Sequence, residues 1–582
     1  MNYFDIYLHK HNLSREGLDE YFKYDSYTPS FCYDFARKLH EKAKDTNIVL
    51  FSDFDSDGIW SAIVGYISLS LLGFTNVTIA ERNIADGYAL RVDIMQNLIQ
   101  KYNPELIITS DVGITAIDAI NYAVDAGVDV FVTDHHNAPS NLNDMKASVI
   151  VNYHLDSEYL KHDCEICGAM TIFNCYRAYL LLYSMEYDSR ICDDFTFLRH
   201  FASIATISDS MPMLGSNRVG VIDAFRFFNY LLTSTIDDML LPYSKNPIFQ
   251  KFLTNFYILL SSICNQYFTG VDMTFLNFSV IPVVNAVKRM NGNLSDFYYM
   301  LLFADRKDAQ LFAKKFIGLN DDRKNETARI LKDVFADKNN QIFDNLIYTT
   351  DSFSGLYGPV AQKILEMTGL PAVVMNFTAH EDDEGFYYSG SVRSPRDFSF
   401  YSIVNASGLA ICAGHEVACG ITIRIENLYD FYDFLSKKVY EYIQTKSIVS
   451  DNPYQDVIDR YDIFIDYDAD LYNTLYDIHS FMQDCQQYGP FGPCFPEPTI
   501  LFKVNKDDCI VDGMSFNEET QKYKHTKIRF GENFQALLWN VSPDEVLSSV
   551  IDNCFYLDGS FKFSMFNGER YTDFVCKLQR FN

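Results

Sequence analysis

Residues 51–60 read FSDFDSDGIW and set Asp53, Asp55 and Asp57 at alternate positions between an apolar run and a glycine. The run that leads into them, NIVLFSD (47–53), is continuous in hydrophobicity, the pattern of a strand buried on both faces of a parallel sheet. ELIITSD (105–111) and VDVFVTD (128–134) repeat it. The intervening RVDIMQNLIQKY and TAIDAINYAVDAG place apolar residues three and four apart. Strand and helix therefore alternate, which makes this part of the chain an α/β domain with a parallel sheet.

Each of the three strands finishes on an acid: Asp53 with Asp55 and Asp57 just beyond, then Asp111, then Asp134 followed by His135 and His136. The carboxyl ends of parallel strands lie along one edge, where ligands bind. Carboxylates gathered there repel one another and take up protons unless a multivalent cation supplies the missing charge. Oxygen donors with a few imidazoles suit Mn²⁺ or Mg²⁺, and a pair of such ions typically activates water for in-line attack at phosphorus. The competing reading of any single aspartate here is a helix N-cap, with Ser56 or Asp57 as the cap before IWSAIVGY. Repetition over three strands, one with His-His appended, favours metal.

Composition narrows the classes. A chain of 582 residues divides into roughly three or four domains, and 48% hydrophobic residues give it enough apolar side chains to bury. A formal net charge of −29 excludes a protein that coats nucleic acid non-specifically, because counterion release needs cations along the path. Thirteen cysteines, odd in number and without framework spacing, fit reduced thiols. IWSAIVGYISLSLLGF (59–74) is interrupted by serines and glycine and too short to span a bilayer, so it is expected as a buried helix. The first residues have no export pattern, and a cytoplasmic location, in a bacterium or in a virus-infected host, is expected.

The ordered set DFDSDG (53–58), SDVG (110–113), TDHH (133–136) and ATISDSMP (205–212) resembles the four motifs of the DHH phosphoesterase superfamily. ERNIADGYAL (81–90), ICGAMTIF (166–173), GSNRV (215–219), PVVNAVKRM (282–290) and LNDDRKNE (319–326) resemble the RecJ-like single-strand exonucleases within it. SGSVRSP (389–395) and CAGHEVACG (412–420) look like the companion DHHA1 substrate domain, and GPFGPCFPEP (489–498) like the entry to that family's OB-fold. The resemblance implies a two-metal site of Asp53, Asp55, Asp57, Asp111, His135 and Asp209, with Asp111 bridging. It implies Asp134 as support, and His136 either as phosphate clamp or as the acid that protonates the leaving oxygen. It further implies a 5′-phosphate pocket of Arg82, Ser391 and Arg393, arginine's planar fork being matched to phosphate. Asn285, Arg289, Asn320, Arg323 and His415 are expected along the strand's path. Two positions depart from the pattern: Lys288 and Ala413 stand where glycine is usual.

Outside the motifs, Ala309, Phe312, Ala313 and Phe316 follow helical spacing within 294–335, and NPIFQKFLTNFYILLSSICNQYF (246–268) reads as apolar core. DCEIC (163–167), with His154 and His162 nearby, has no second cysteine pair, so a structural role is preferred over zinc. From 499 on, TILFKV, HTKIRF, QALLWNV and FKFSMF alternate as strands of a small OB-like barrel, whose basic run Lys522, Lys524, His525, Lys527 and Arg529 is the expected docking strip for single strands.

The expected organisation is an N-terminal helical segment (1–45), a DHH catalytic domain (46–235), a helical connector (236–335), an α/β DHHA1 domain (336–448) and a linker with an OB-like domain (449–582). The expected activity, on the resemblance, is 5′-to-3′ hydrolysis of single-stranded DNA to 5′-mononucleotides by two Mn²⁺ or Mg²⁺ ions, in DNA repair or recombination. RNA is a second candidate substrate, and a single-strand-binding protein or helicase a candidate partner of a monomer. Two rivals stand beside it: a phosphodiesterase of short oligonucleotides or cyclic nucleotides, and a metal-free scaffold that binds single strands.

Overall fold

The structure is a computed structural model that describes residues 2–579, apart from 25–26, 83–89, 235–245, 265–267, 269, 337–340, 344–345, 351–353, 379–385, 396, 447–456, 468–470, 519–520, 531–533 and 567–568. Five strands form an all-parallel sheet in the order β2-β1-β3-β4-β5: β1 is Ile48–Ser52, β2 Val77–Ile79, β3 Leu106–Ser110, β4 Asp129–Thr133 and β5 Val149–Val151. The three acid-ended runs are thus the adjacent strands β1, β3 and β4, in register from Ile48 opposite Leu106 and Leu106 opposite Asp129. Every residue of β1 and β3 is buried, as continuous apolar runs require when helices cover both faces.

Two cores sandwich this sheet. One face packs on α5 (Val92–Tyr102) and α6 (Ile117–Asp125). The other packs on α3 (Ser30–His40), α4 (Ser56–Leu71), α8 (Gly168–Tyr183) and α9 (Ser189–Ser208), with α10 (Gly215–Thr233) behind them. The short α7 (Tyr159–His162) leads into α8. Helix α4 is the expected buried helix, with Trp60 fully enclosed. The same core continues past residue 235 into helix Pro247–Ile263, which buries Phe249, Phe252 and Phe256, and into the start of helix Arg306–Ala336, which buries Ala309, Ala313 and Phe316. Among the described residues, no helix is long and apolar enough to cross a membrane.

A second, mixed sheet of six strands follows in the order β10-β11-β9-β8-β7-β6. These are β6 Gln341–Phe343, β7 Ile347–Thr349, β8 Ala372–Thr378, β9 Tyr387–Arg393, β10 Ile411–His415 and β11 Ala418–Arg424. The C-terminal unit is a seven-stranded mixed sheet, β12-β13-β17-β18-β16-β15-β14. It comprises β12 Ile463–Tyr467, β13 Ile500–Asn505, β14 Ile510–Asn517, β15 Lys522–Arg529, β16 Phe534–Leu538, β17 Cys554–Phe566 and β18 Glu569–Leu578. Here the structure differs from the barrel expected for the tail, since β12 and β14 remain edges and the described pairings do not close. Strand β12, contributed from upstream of residue 499, adds in parallel to β13, and β16 adds in parallel to β18. Alternation in a sequence identifies strands but not their partners.

The N-terminus belongs to both ends of the molecule. Helices α1 (Tyr3–Lys10) and α2 (Arg15–Tyr21) bury Phe4, Tyr7, Leu8 and Leu18 in the core of the C-terminal sheet, whereas α3 packs in the first core. Arg15 forks onto Asp484 with both nitrogens at 2.7 Å.

Candidate metal centre

Local chemistry explains how each acid reaches the edge. Asp55 is the N-cap of α4, its Oδ1 accepting from the N–H groups of Asp57 (3.0 Å) and Gly58 (3.1 Å). The cap is therefore neither Ser56 nor Asp57, and capping still leaves Asp55 among the clustered acids. Gly58 is required because a Cβ there would come within 2.2 Å of the Asp53 carbonyl oxygen. Asp111 takes up a left-handed backbone conformation (φ 59°) directly after β3, a conformation that aspartate tolerates better than most residues. Asp209 follows the last turn of α9.

The side chains meet in three overlapping sets whose donor atoms lie within 4.8 Å of one another: Asp53, Asp55 and Asp111; Asp57, His135 and Asp209; and Asp111, His135 and His136. His135 Nε2 is the common neighbour, 3.1 Å from Asp111 Oδ1 and 3.6 Å from both Asp57 Oδ2 and Asp209 Oδ2. Burial and then the carboxylates of Asp57, Asp55, Asp53 and Asp209 push Asp111 well above the usual carboxylate range. Asp57 is raised the same way, and Asp55 to about 6. Groups that repel this strongly fit divalent cations, which would remove the repulsion and use the oxygen and imidazole donors together.

Asp134 behaves differently. Its Oδ2 accepts from Ile114 N–H (2.9 Å), and its Oδ1 accepts from His135 N–H (2.7 Å), from His136 N–H (3.2 Å) and from the His136 ring at Nδ1 (2.7 Å). Burial alone would raise it, but the bond from His136 and the nearby imidazoles pull it down to about 2. It orients the pair of histidines, and Asn152 ties down the His136 carbonyl at 2.8 Å. The His136 side chain is 42% exposed; burial lowers it, yet Asp134 lifts it to about 9.

One element of the site was missed. Asp57 is held at the start of α8, where Gly168 N–H donates to Oδ2 (2.7 Å) and Ala169 N–H to Oδ1 (2.8 Å). Gly168 also lets the start of α8 lie against Asp111, since a Cβ would fall 2.6 Å from the Asp111 Cβ. The glycine of ICGAMTIF opening a helix was the available signal.

The residues expected to form a phosphate pocket are carried by different units. The Arg82 side chain is enclosed beside β1, donating to Ser52 O (3.2 Å) and Asp53 Oδ1 (2.8 Å) with its guanidinium 4.6 Å from the Phe54 ring centre; the rest of its motif, 83–89, lies outside the described residues. Ser391 and Arg393 lie on β9 in the second sheet, where Arg393 Nη1 donates to Val392 O (2.7 Å). Asn285 and Arg289 are on helix Ile281–Arg289, which packs against the helix bearing Asn320 and Arg323. Arg323 Nε donates to Asn320 Oδ1 (3.0 Å), and burial and then Arg289 lower its pKa. His415 ends β10, and its side chain falls outside the described residues. Cys164 and Cys167 are free thiols; Cys164 donates to Leu214 O (3.2 Å) and Cys167 is buried near Thr206.

The model of the DHH family, N-terminal domain, matches residues 47–193. Residues 47–193 form a DHH-family domain. The single-stranded-DNA-specific exonuclease RecJ of Haemophilus influenzae is 22% identical over 524 residues, 83% of this chain and 83% of its own. RecJ of Escherichia coli is 21% identical over 531 residues, with the same shares. The crystal structure of RecJ with Mn²⁺ from Thermus thermophilus superposes with a TM-score of 0.68 at 17% identity, over 99% of this chain and 75% of that one. A manganese-bound exonuclease RecJ gives 0.52 at 20% identity, over 71% and 95%. The chain is thus related to RecJ over most of its length and shares its fold.

Proposed function

We propose that the chain is a metal-dependent exonuclease that hydrolyses phosphodiester bonds of single-stranded DNA from the 5′ end and releases 5′-mononucleotides. The observation that carries the phosphoesterase chemistry is the set of overlapping acid and imidazole clusters around His135 and Asp111. Strand type and polarity are inferred from the likeness to RecJ. Asp53, Asp55 and Asp111 would hold one ion, and Asp57, His135 and Asp209 a second, with Asp111 between them. Two Mn²⁺ or Mg²⁺ ions bound there would supply Lewis acidity at the phosphoryl oxygens and water acidic enough to attack at neutral pH.

The chain's own residues do the rest. Asp134 fixes the His136 ring through Nδ1, leaving Nε2 to donate a proton to a phosphate oxygen or to the leaving oxygen. Arg82, Ser391 and Arg393 would close on a terminal 5′-phosphate, and Asn285, Arg289, Asn320, Arg323 and His415 would line the strand behind it. The C-terminal mixed sheet would act as a strand-binding unit. On β15, cations alternate with Tyr523, and Trp539 packs on His525 with ring centres 4.9 Å apart.

End-labelled single strands bearing 5′-phosphate, 5′-hydroxyl or blocked ends, digested with Mn²⁺, test this reading. It expects mononucleotides from the phosphorylated end and none from Asp111→Ala. No cleavage by the native chain under any divalent ion would leave a scaffold, and cleavage confined to dinucleotides would leave the small-substrate phosphodiesterase.

A further inference from the structure

We propose that the cavity on the Asp209 side of the metal centre is a subsite for one base of the bound strand, that of the nucleotide following the scissile phosphate, with Phe278 as its stacking partner. This rests on the phosphoesterase reading above and deepens it. The cavity measures about 240 Å³ and has three walls: the end of α9 with Ser210 and Met211, the segment with Phe491 and Glu497, and the turn with Asn277 and Phe278. An apolar cavity of about 150 Å³ is enough to hold benzene, so this one has room for a planar base. The sugar and phosphate stay at its mouth.

The lining suits a base better than an anion. Phe491, Met211, Met213 and Met273 supply ring and thioether surface, and thioethers adapt to flat ligands of differing outline. The Asn277 amide both donates and accepts, the hydroxyls of Thr274 and Ser210 do either, and the Glu497 carboxylate only accepts. Base edges carry donors and acceptors together, whereas a carboxylate in the wall repels phosphate. The cation is at the rim instead, where Lys562 of β17 donates to the Thr274 hydroxyl (3.5 Å). Phe278 is 74% exposed, on a π-helical turn, Leu276–Val280, a form that recurs at functional sites. The same helix runs on as Ile281–Arg289, with Asn285 and Arg289 expected along the strand. Asp53, bonded to Arg82, and Asp209, one residue before Ser210, belong to different sets of the acid cluster. A strand with its 5′-phosphate at Arg82 and its first internucleotide phosphate at the cluster therefore brings its second base to the Asp209 side. Stacking there tolerates any base, because each has a π-face.

The test follows release of the labelled first nucleotide in Mn²⁺ from two 5′-phosphorylated single strands, one with normal bases and one abasic at its second nucleotide. The native chain is expected to cut the abasic strand with a kcat/KM about tenfold lower. Phe278→Ala, a change at an exposed side chain, should lower kcat/KM on the normal strand by a similar factor and abolish the difference between the two. Phe278→Tyr should keep both rate and difference, and Mn²⁺ binding by calorimetry should be the same in all three proteins. Equal cutting of both strands by the native chain would overturn the proposal, as would a difference that persists in Phe278→Ala. If free mononucleotide altered the rate of the native chain but not of Phe278→Ala, while both strands were cut alike, the cavity would take a free nucleotide and the strand assignment would fall. A native chain that binds Mn²⁺ but cuts no single strand would overturn the substrate reading itself, a result distinct from equal cutting of the two strands.

Discussion

At the scale of single residues, the site separates acids raised by burial and then by one another's charge from one that is lowered. Asp134 receives four hydrogen bonds and stays ionised; an asparagine there keeps the shape but cannot accept on both arms. Asp134→Asn is expected to reduce cleavage about 10–100-fold while the Mn²⁺ stoichiometry measured by calorimetry is unchanged. Asp55, Asp57 and Asp111 have folded-state pKa values above the ordinary 3.8, so their protonated forms favour the metal-free fold. That contribution is present at low pH and is lost as pH rises through about 6 for Asp55. Mn²⁺ bound at the cluster would replace the protons. The rise in melting temperature on adding Mn²⁺ should accordingly be larger at about pH 8 than at about pH 5, and Mn²⁺ affinity should fall as pH drops through that range.

At the scale of elements, the start of α8 is the tightest joint. A methyl group in Gly168→Ala would press on the Asp111 Cα at 2.9 Å and its Cβ at 2.6 Å, moving the helix whose N–H groups hold Asp57. The expected cost is about 1–3 kcal/mol in urea unfolding, together with weaker Mn²⁺ binding. This joint also marks how far the sequence could be read. Strands β1, β3 and β4 were legible because burial on both faces removes alternation, and α4 because its apolar run continues all round. The convergence of their acids followed from topology alone. The identity of the cap, Asp55 rather than its neighbours, was not legible, since Asp, Ser and Asp in sequence all cap well. Nor was the α8 cradle, because the contact of Asp57 with residues 168 and 169 is long-range and depends on how helices pack. The C-terminal strands were legible one at a time, while their parallel additions at β12 and β16 were set by connections that periodicity does not encode.

At the scale of the whole molecule, one buried arginine joins the half that carries the acid cluster to the C-terminal half. Arg218 on α10 donates to the carbonyls of Pro490 (2.7 Å), Gly489 (2.9 Å) and Tyr488, and its guanidinium lies 3.9 Å from the ring centre of Phe22 and 5.5 Å from that of Phe495. Burial lowers its pKa to about 10. The N-terminal helices reach the same place, with Tyr7 donating to Pro496 O (2.7 Å) and Phe22 packed on Phe495. A cavity of about 240 Å³ beside it runs from Ser210 and Met211, next to Asp209, to Phe491 and Glu497. The joint thus sets the position of the C-terminal sheet relative to the metal centre. Replacing Arg218 by Met fills similar space but leaves three carbonyls without their donor, at about 1–3 kcal/mol for each one that stays dry. Because the metal cluster itself is untouched, Arg218→Met should bind Mn²⁺ like the native chain and cut dinucleotides at the native rate. Calorimetric unfolding should divide into two transitions, the earlier one releasing the C-terminal sheet to protease, and long single strands should be degraded more slowly. A single transition with undiminished long-strand degradation would mean that the apolar contacts of α1 and α2 hold the halves together without the arginine.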